Sequence, residues 1–290
     1  MKIGIIGIGI MGGAIARNLI AAGFAVAGFD VAKAACEALA AMGGTVARSA
    51  AELADHSEIV LTSLPSVVAL DDTTAALAAK GRLGLVLAEL STLPIEAKLR
   101  CRDTLGSAHI AMLDCPLSGT GAQAVTRDLA VYASGERADY DRAASVFAAF
   151  ARAPHYVGAF GNGSKLKFIA NLLVAIHNVA SAEAIVLGLK AGLDPDDVIR
   201  LIKSGVGTSR IFELRAPMMA KNAYQPATMK IDVWQKDMAV IGEFAKSLGV
   251  ATPLFTATVP VYNAAIGLGH GPDDTAAVCA VLEKMAGITR

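Results

Sequence analysis

Residues 3–23 read IGIIGIGIMGGAIARNLIAAG: a short β-rich run closing on a glycine, three further glycines at tight spacing, and an alanine-rich stretch that stops at Gly23. The run 3–7 has the composition of a buried strand, and 11–23 that of a helix. Gly7-Ile8-Gly9-Ile10-Met11-Gly12 is therefore a G-x-G-x-x-G that follows a predicted strand and opens a predicted helix. Each glycine then has a physical task. Gly7 permits the tight turn, Gly9 lets the backbone approach a pyrophosphate, and Gly12 allows helix and strand to pack closely. The helix offers its free N–H groups and positive dipole end to phosphates. A second strand, FAVAGFD (24–30), ends at Asp30, eighteen residues after Gly12. A carboxylate there can accept a hydrogen bond from a ribose 2′-hydroxyl and repels a 2′-phosphate, which favours NAD over NADP. The plainer reading is a glycine-rich turn packing on itself, with Asp30 a simple turn residue; it leaves the agreement of position and spacing unexplained. Lys33 could support a 2′-phosphate but reads as a solvated first-turn lysine.

Outward from this unit the pattern continues as alternating strands and helices. A helical stretch covers 32–41, and EIVLTSL (58–64) and LVLAEL (85–90) are buried strands followed by Pro65 and Pro94. IAMLDCP (110–116) ends in the same way, and LAVYASG (129–135) supplies one more strand. Nearly continuous apolar strands in this alternation predict a doubly wound sheet covered on both faces. After GAFGNG (158–163) the β signal stops. Residues 164–191 read as one long helix, followed by helical patterns at 194–203, 211–219, 231–247, 253–268 and 272–287. The expected architecture is an α/β Rossmann-type doubly wound domain over 1–162, joined by a long helix to an all-α domain over 163–290.

Composition narrows the functional class. The 290 residues are 54% hydrophobic and 18% charged, with 26 basic against 26 acidic side chains and a net charge of zero. The mean hydropathy is +0.51. Such a chain can bury a large core, and it carries neither a nucleic-acid footprint nor a polybasic membrane anchor. Cys36, Cys101, Cys115 and Cys279 are scattered, with no C-x-x-C and no clustered histidines. Neither a disulfide framework nor a metal site is expected, and a reducing, cytoplasmic setting fits. No uncharged apolar run reaches the ~20 residues of a membrane span. Residues 168–182, the longest candidate, contain Asn171, His177 and Asn178.

Three strand-end segments fall where an open α/β sheet builds its crevice: Ser63-Leu64-Pro65, Ser91-Thr92-Leu93-Pro94, and Asp114 to Gly121. The last is rich in small hydroxyl residues and backbone amides that suit a carboxylate, although each segment taken alone reads as an ordinary turn. On the long helix Lys167 and Asn171 are four apart and share a face. A lysine beside an amide on an apolar helix can act as a general acid/base, because desolvation lowers a lysine pKa. The plainer alternative is a lysine snorkelling at the helix start. His177 reads as a satisfied helix histidine, Cys115 as a small buried thiol, and Lys236-Asp237 equally as a surface ion pair or as residues reaching the cofactor.

As a set these motifs resemble the β-hydroxyacid dehydrogenase family, over nearly the whole chain. The family's first motif, G-x-G-x-M-G, is matched by Gly7 to Gly12, and Asp30 stands where NAD-using members carry an acidic residue. Leu64-Pro65 and Ser91-Thr92 match loops lining the nicotinamide side. The substrate loop D-x-P-x-S-G-G is matched by Asp114-Cys115-Pro116-Leu117-Ser118-Gly119-Thr120, and G-x-G then K-x-x-N-N by Gly161, Gly163, Lys167 and Asn171. The resemblance implies Lys167 as catalytic lysine and Asn171 as its substrate-orienting partner. It implies Gly7, Gly9, Ile10, Met11, Gly12, Asp30, Leu64, Pro65, Thr92 and Lys236 around the cofactor, and Ser118, Gly119, Thr120 and Asp237 around a small carboxylate substrate. It also implies a homodimer or homotetramer. Thr120, Ala170 and Arg127-Asp128 depart from the family pattern. Imine reductases share the architecture but commonly lack the lysine. The implied activity is hydride transfer between NAD and a small β-hydroxy acid or the matching carbonyl. The alternatives are an imine or keto-acid reductase, or a dinucleotide-binding sensor without turnover. Arg127 and Arg210 are candidates for a second acidic group on the substrate, or simply face solvent.

Overall fold

Adjacent residues of the first strands enter different cores. Ile3 and Ile5 pack with Ile15, Leu19, Val86, Phe147 and Phe150. Ile6 instead packs with Val60, Leu70, Leu77, Leu87 and Leu105. Successive strand side chains point to opposite faces, so these two clusters are the two covered faces of one sheet. Each buried Ile or Leu contributes about 1.5–3 kcal/mol relative to exposure. This computed structural model describes residues 1–290.

The sheet is built from β1 (Lys2–Ile6), β2 (Ala25–Phe29), β3 (Thr45–Val46), β4 (Ile59–Thr62), β5 (Val86–Glu89) and β6 (Ala111–Asp114), with helices α1 (Ile10–Ala21), α2 (Lys33–Ala41), α3 (Ala50–His56), α4 (Val67–Lys80) and α5 (Ile95–Ser107) between them. All pairings are parallel, and the order is β3-β2-β1-β4-β5-β6. The order reverses between β1 and β4, which is where such sheets bind ligands. Gly7 turns the chain at that point.

One expectation is corrected here. The segment 129–135 is not a further strand of the main sheet. After Pro116 the chain enters a second sheet of β7 (Leu117–Ser118), β8 (Ala130–Ala133) and β9 (Ala153–Tyr156), with α6 (Gly121–Val125) and α7 (Arg137–Phe150) in the connections. β7 runs antiparallel to β8, and β8 parallel to β9. The loop expected over 114–121 is thus partly strand.

The rest is helical: α8 (Asn162–Lys190), α9 (Pro195–Lys203), α10 (Arg210–Ala220), α11 (Ile231–Ser247), α12 (Pro253–Gly267) and α13 (Val278–Met285). Asp194 caps α9 through the N–H groups of Asp196 and Asp197, with Pro195 at the first position. The helix expected over 272–287 is interrupted. Asp274 caps a 3-10 turn, Thr275–Ala277, and α13 begins only after it. The chain divides into two compact units, Met1–Lys167 and Phe168–Arg290. By length and composition α8 is apolar enough to cross a membrane, although the expected sequence pattern contained no uninterrupted uncharged run of that length. In this fold 44% of its most apolar window is buried.

Candidate active site

Gly7 has φ +85°, and a Cβ there would stand 2.2 Å from the Ser63 carbonyl oxygen. A Cβ on Gly12 would stand 1.9 Å from the carbonyl oxygen of Gly7. Backbone against backbone cannot yield, so neither position takes a side chain. Gly9 differs, because a Cβ there meets nothing within 4 Å. No contact within the chain demands glycine at this position; the open space above it is the room a pyrophosphate needs. Gly9 is the N-cap of α1 and makes no side-chain cap hydrogen bond, so the helix end suits an anion. Ile10 is exposed beside this turn and Met11 packs partly against the core. Asp30 follows β2. Its Oδ2 accepts the Ile8 N–H at 2.6 Å and its Oδ1 the Ala32 N–H at 2.8 Å. The carboxylate is thereby pinned to the glycine-rich turn, and its two oxygens hold about four acceptor sites in all. Lys33 is exposed and pairs with Glu37 at 3.5 Å, as a solvated lysine does. These residues fit a dinucleotide.

The ends of β4 and β5 are tied together: the Leu64 N–H donates to Ser91 Oγ at 2.7 Å. Leu64 and Thr92 are half-buried and Pro65 is exposed. Farther along, Ser118 is half-buried and pairs with Ala130. Gly119 has φ +137°, and a Cβ there would lie 2.5 Å from Leu129 Cδ2. Thr120 forms a capping box at the start of α6: Gln123 Oε1 accepts the Thr120 N–H at 3.0 Å, while the threonine hydroxyl accepts the Gln123 N–H at 3.5 Å. This departure from the family loop serves a helix cap. Asp128 serves a local lock, accepting Arg152 Nε at 2.7 Å and Gln123 Nε2 at 3.1 Å. Arg127 donates to the Ala148 carbonyl and Arg210 pairs with Glu213 on its own helix.

On α8 both Lys167 and Asn171 are buried, one turn apart on the same helical face. Lys165 diverges, with its Nζ 3.3 Å from Asn162 Oδ1. Asn171 Nδ2 donates to Asp237 Oδ2 at 2.9 Å, and Lys236 Nζ lies 2.9 Å from Asp237 Oδ1. Asp237 is 6% exposed. Lys236 and Asp237 thus form the ion pair, with the lysine partly exposed and the carboxylate buried against the Asn171 amide. His177 is half-buried and borders a cavity of ≈ 180 Å³ with Ser181, Thr208 and Phe212. Cys115 is fully buried and burial pushes its thiol well up, consistent with an inert side chain.

The sequence reading missed a buried ionic cluster. Lys98 Nζ lies 2.6 Å from Glu89 Oε2 and 2.8 Å from Asp114 Oδ1, with all three side chains fully buried, and donates to the Ser91 carbonyl at 2.7 Å. Asp114 also accepts the Ser164 N–H and hydroxyl, each at 2.8 Å. The available signal was a carboxylate at the end of each of two otherwise apolar strands.

The chain is similar to known proteins over nearly its whole length. The NAD binding domain of 6-phosphogluconate dehydrogenase matches residues 2–158, and the NAD-binding domain of NADP-dependent 3-hydroxyisobutyrate dehydrogenase matches 161–282. An L-threonate dehydrogenase of Cupriavidus necator is 34% identical, over 81% of this chain and 80% of its own. A 2-(hydroxymethyl)glutarate dehydrogenase of Eubacterium barkeri is 28% identical, over 100% and 97%. A crystal structure of a 3-hydroxyisobutyrate dehydrogenase from Salmonella typhimurium superposes with a TM-score of 0.87 at 28% identity, covering 97% of this chain and 99% of that one.

Proposed function

The chain belongs to the β-hydroxyacid dehydrogenase family, and from that premise we propose that it interconverts a small β-hydroxy carboxylic acid and its semialdehyde or ketone, with NAD as cofactor and Lys167 as general acid/base. That it is an NAD(P)-dependent hydroxyacid dehydrogenase follows from its family. The observation that carries the finer reading is the buried Lys167–Asn171 pair on one face of α8, with the Asn171 amide oriented by Asp237. When bound, the nicotinamide accepts or returns the hydride. The residues of the chain manage the proton and the geometry. Lys167 Nζ takes the proton of the substrate hydroxyl in oxidation and gives it back in reduction. Asn171 holds the substrate oxygen against it. Ser118, Gly119 and Thr120 supply hydroxyl and amide donors for the carboxylate, and the Thr120 hydroxyl does so while capping α6.

Substrate class is supported by the relatives' names. 3-Hydroxyisobutyrate and 2-(hydroxymethyl)glutarate carry a hydroxyl β to a carboxylate, and L-threonate carries hydroxyls both α and β to it. Asp30, fixed at the glycine-rich turn, supports NAD over NADP. The test is NADH formation by the purified chain with NAD or NADP and a panel of 3-hydroxyisobutyrate, glycerate, threonate, serine and phenylserine. Turnover should prefer NAD and fall on the order of 10²–10⁴-fold in Lys167→Ala, with NAD affinity unchanged. Retention of most turnover in that variant removes Lys167 from the mechanism. Silence across the panel with NAD still bound moves the chemistry to another carbonyl or imine substrate.

A further inference from the structure

The first turn of α8 is fastened to the sheet by one carboxylate. Asp114, the last residue of β6, accepts the Ser164 N–H on Oδ2 and the Ser164 hydroxyl on Oδ1, each at 2.8 Å. Beside it the Gly163 N–H donates to Ser134 Oγ at 3.0 Å, and the Ser134 hydroxyl in turn reaches the Asp114 carbonyl at 3.0 Å. The fit is close: a Cβ on Gly163 would stand 2.2 Å from the Tyr132 carbonyl oxygen and 2.7 Å from that of Asp114. The carboxylate thus satisfies an orphan donor of the helix start and places a negative charge at its positive end. Lys98 holds Asp114 from the other side and links it to Glu89 and the Ser91 carbonyl. Ser91 Oγ accepts the Leu64 N–H, so the same cluster reaches the ends of β4, β5 and β6 and the start of α8.

A buried ion cluster is a weak source of net stability, since apolar residues of equal volume often serve as well. What it supplies is direction, because each contact fixes an atom. Lys167 lies three residues beyond Ser164, the spacing of neighbours on one helical face. We propose that Asp114, paired with Lys98, is a positioning residue that fixes the first turn of α8 and through it the backbone from which Lys167 projects. This rests on the reading of Lys167 as general acid/base.

The test uses the full chain with Asp114→Asn and Ser164→Ala. Three readouts are compared: backbone amide exchange over 163–168, the rate of hydride transfer, and KM for NAD. The expected result is faster exchange confined to 163–168, kcat lowered on the order of ten- to a hundredfold in Asp114→Asn and less in Ser164→Ala, and KM for NAD unchanged. Unchanged exchange at 163–168, or unchanged kcat, overturns the proposal. So does a kcat loss carried entirely by KM for NAD. If Asp114→Asn does not fold, Ser164→Ala decides the matter alone, because it deletes one hydroxyl and leaves the Lys98–Asp114 pair in place. Lys167→Ala separates the two readings. Turnover retained there fails the lysine mechanism, whereas unchanged exchange in Ser164→Ala fails only the positioning role.

Discussion

Each half of the chain buries a cation against a carboxylate, and the two arrangements are built differently. In the α/β unit Lys98 serves two carboxylates, Glu89 and Asp114, with all three side chains inaccessible. In the helical unit one carboxylate meets one cation and several neutral donors. Asp274 accepts Arg215 Nε at 3.1 Å, the Ala276 N–H at 3.0 Å, the Thr228 hydroxyl at 2.6 Å and the Thr228 N–H at 2.7 Å. One cluster depends on a single cation that joins strand ends. The other is an anion solvated by many donors, mostly neutral, which seals the segment before α11 onto the turn before α13. The cation matters more where it has fewer substitutes.

That difference is open to measurement. Lys98→Met leaves two buried carboxylates without their cation and should cost the α/β unit about 3–5 kcal/mol. Arg215→Met leaves Asp274 with its remaining donors and should cost the helical unit about 1.5–3 kcal/mol. Urea unfolding of both variants, followed by near-UV circular dichroism, gives the ratio; equal losses would end the distinction.

Titration should separate the clusters next. Burial opposes charge on Asp274, yet Arg215 and the Thr228 and Ala276 donors outweigh it, so its carboxyl lies below the usual carboxylate range. A depressed folded pKa gives stability that is present above the ordinary value and lost as pH falls through the folded one. For Lys98 burial again opposes the charge, and Asp114 and Glu89 outweigh it, raising the ammonium above the usual lysine range. Its contribution is present below the ordinary lysine value and lost only as pH rises through the raised one. Melting temperature against pH should therefore show the Asp274 contribution fading in acid, with Asp274→Asn flattening that limb and leaving the alkaline limb alone. A variant with an unaltered acid limb would contradict the assignment.

The smallest effect should be shared by both halves. Ser49 caps α3 through the Glu52 N–H and Ser209 caps α10 through the Phe212 N–H. Replacing either by alanine should cost about 1 kcal/mol, with similar midpoint shifts in chemical denaturation. Strongly unequal shifts would mean that local capping does not operate alike in the two halves.

Much of the fold was readable where one residue's own requirements are decisive. Gly7 and Gly12 permit no Cβ, and that demand is visible in their spacing before any contact is known. The helix expected over 231–247 is found at Ile231–Ser247, because apolar periodicity and a glycine stop are local signals. The run 129–135 reads as a strand, but the structure places it in the second sheet rather than the main one. Its pattern is the same in either, and its partners, β7 and β9, are set by the tertiary structure.

The candidate site divides along the same line. The glycine turn, Asp30, and the four-residue spacing of Lys167 and Asn171 were legible from residue type and period. The partner of Asn171 lies 66 residues away at Asp237, and Asp114 meets Ser164 across 50 residues. Sequence by itself determined which stretches become strands, helices and the dinucleotide turn, since dihedral limits and periodicity act over a few residues. Only the tertiary structure decided which buried charges meet: Lys98, Glu89 and Asp114 come together because β5 and β6 are neighbours in the sheet and α5 packs beside them. A charge taken out of water must find its counterpart wherever topology has carried it.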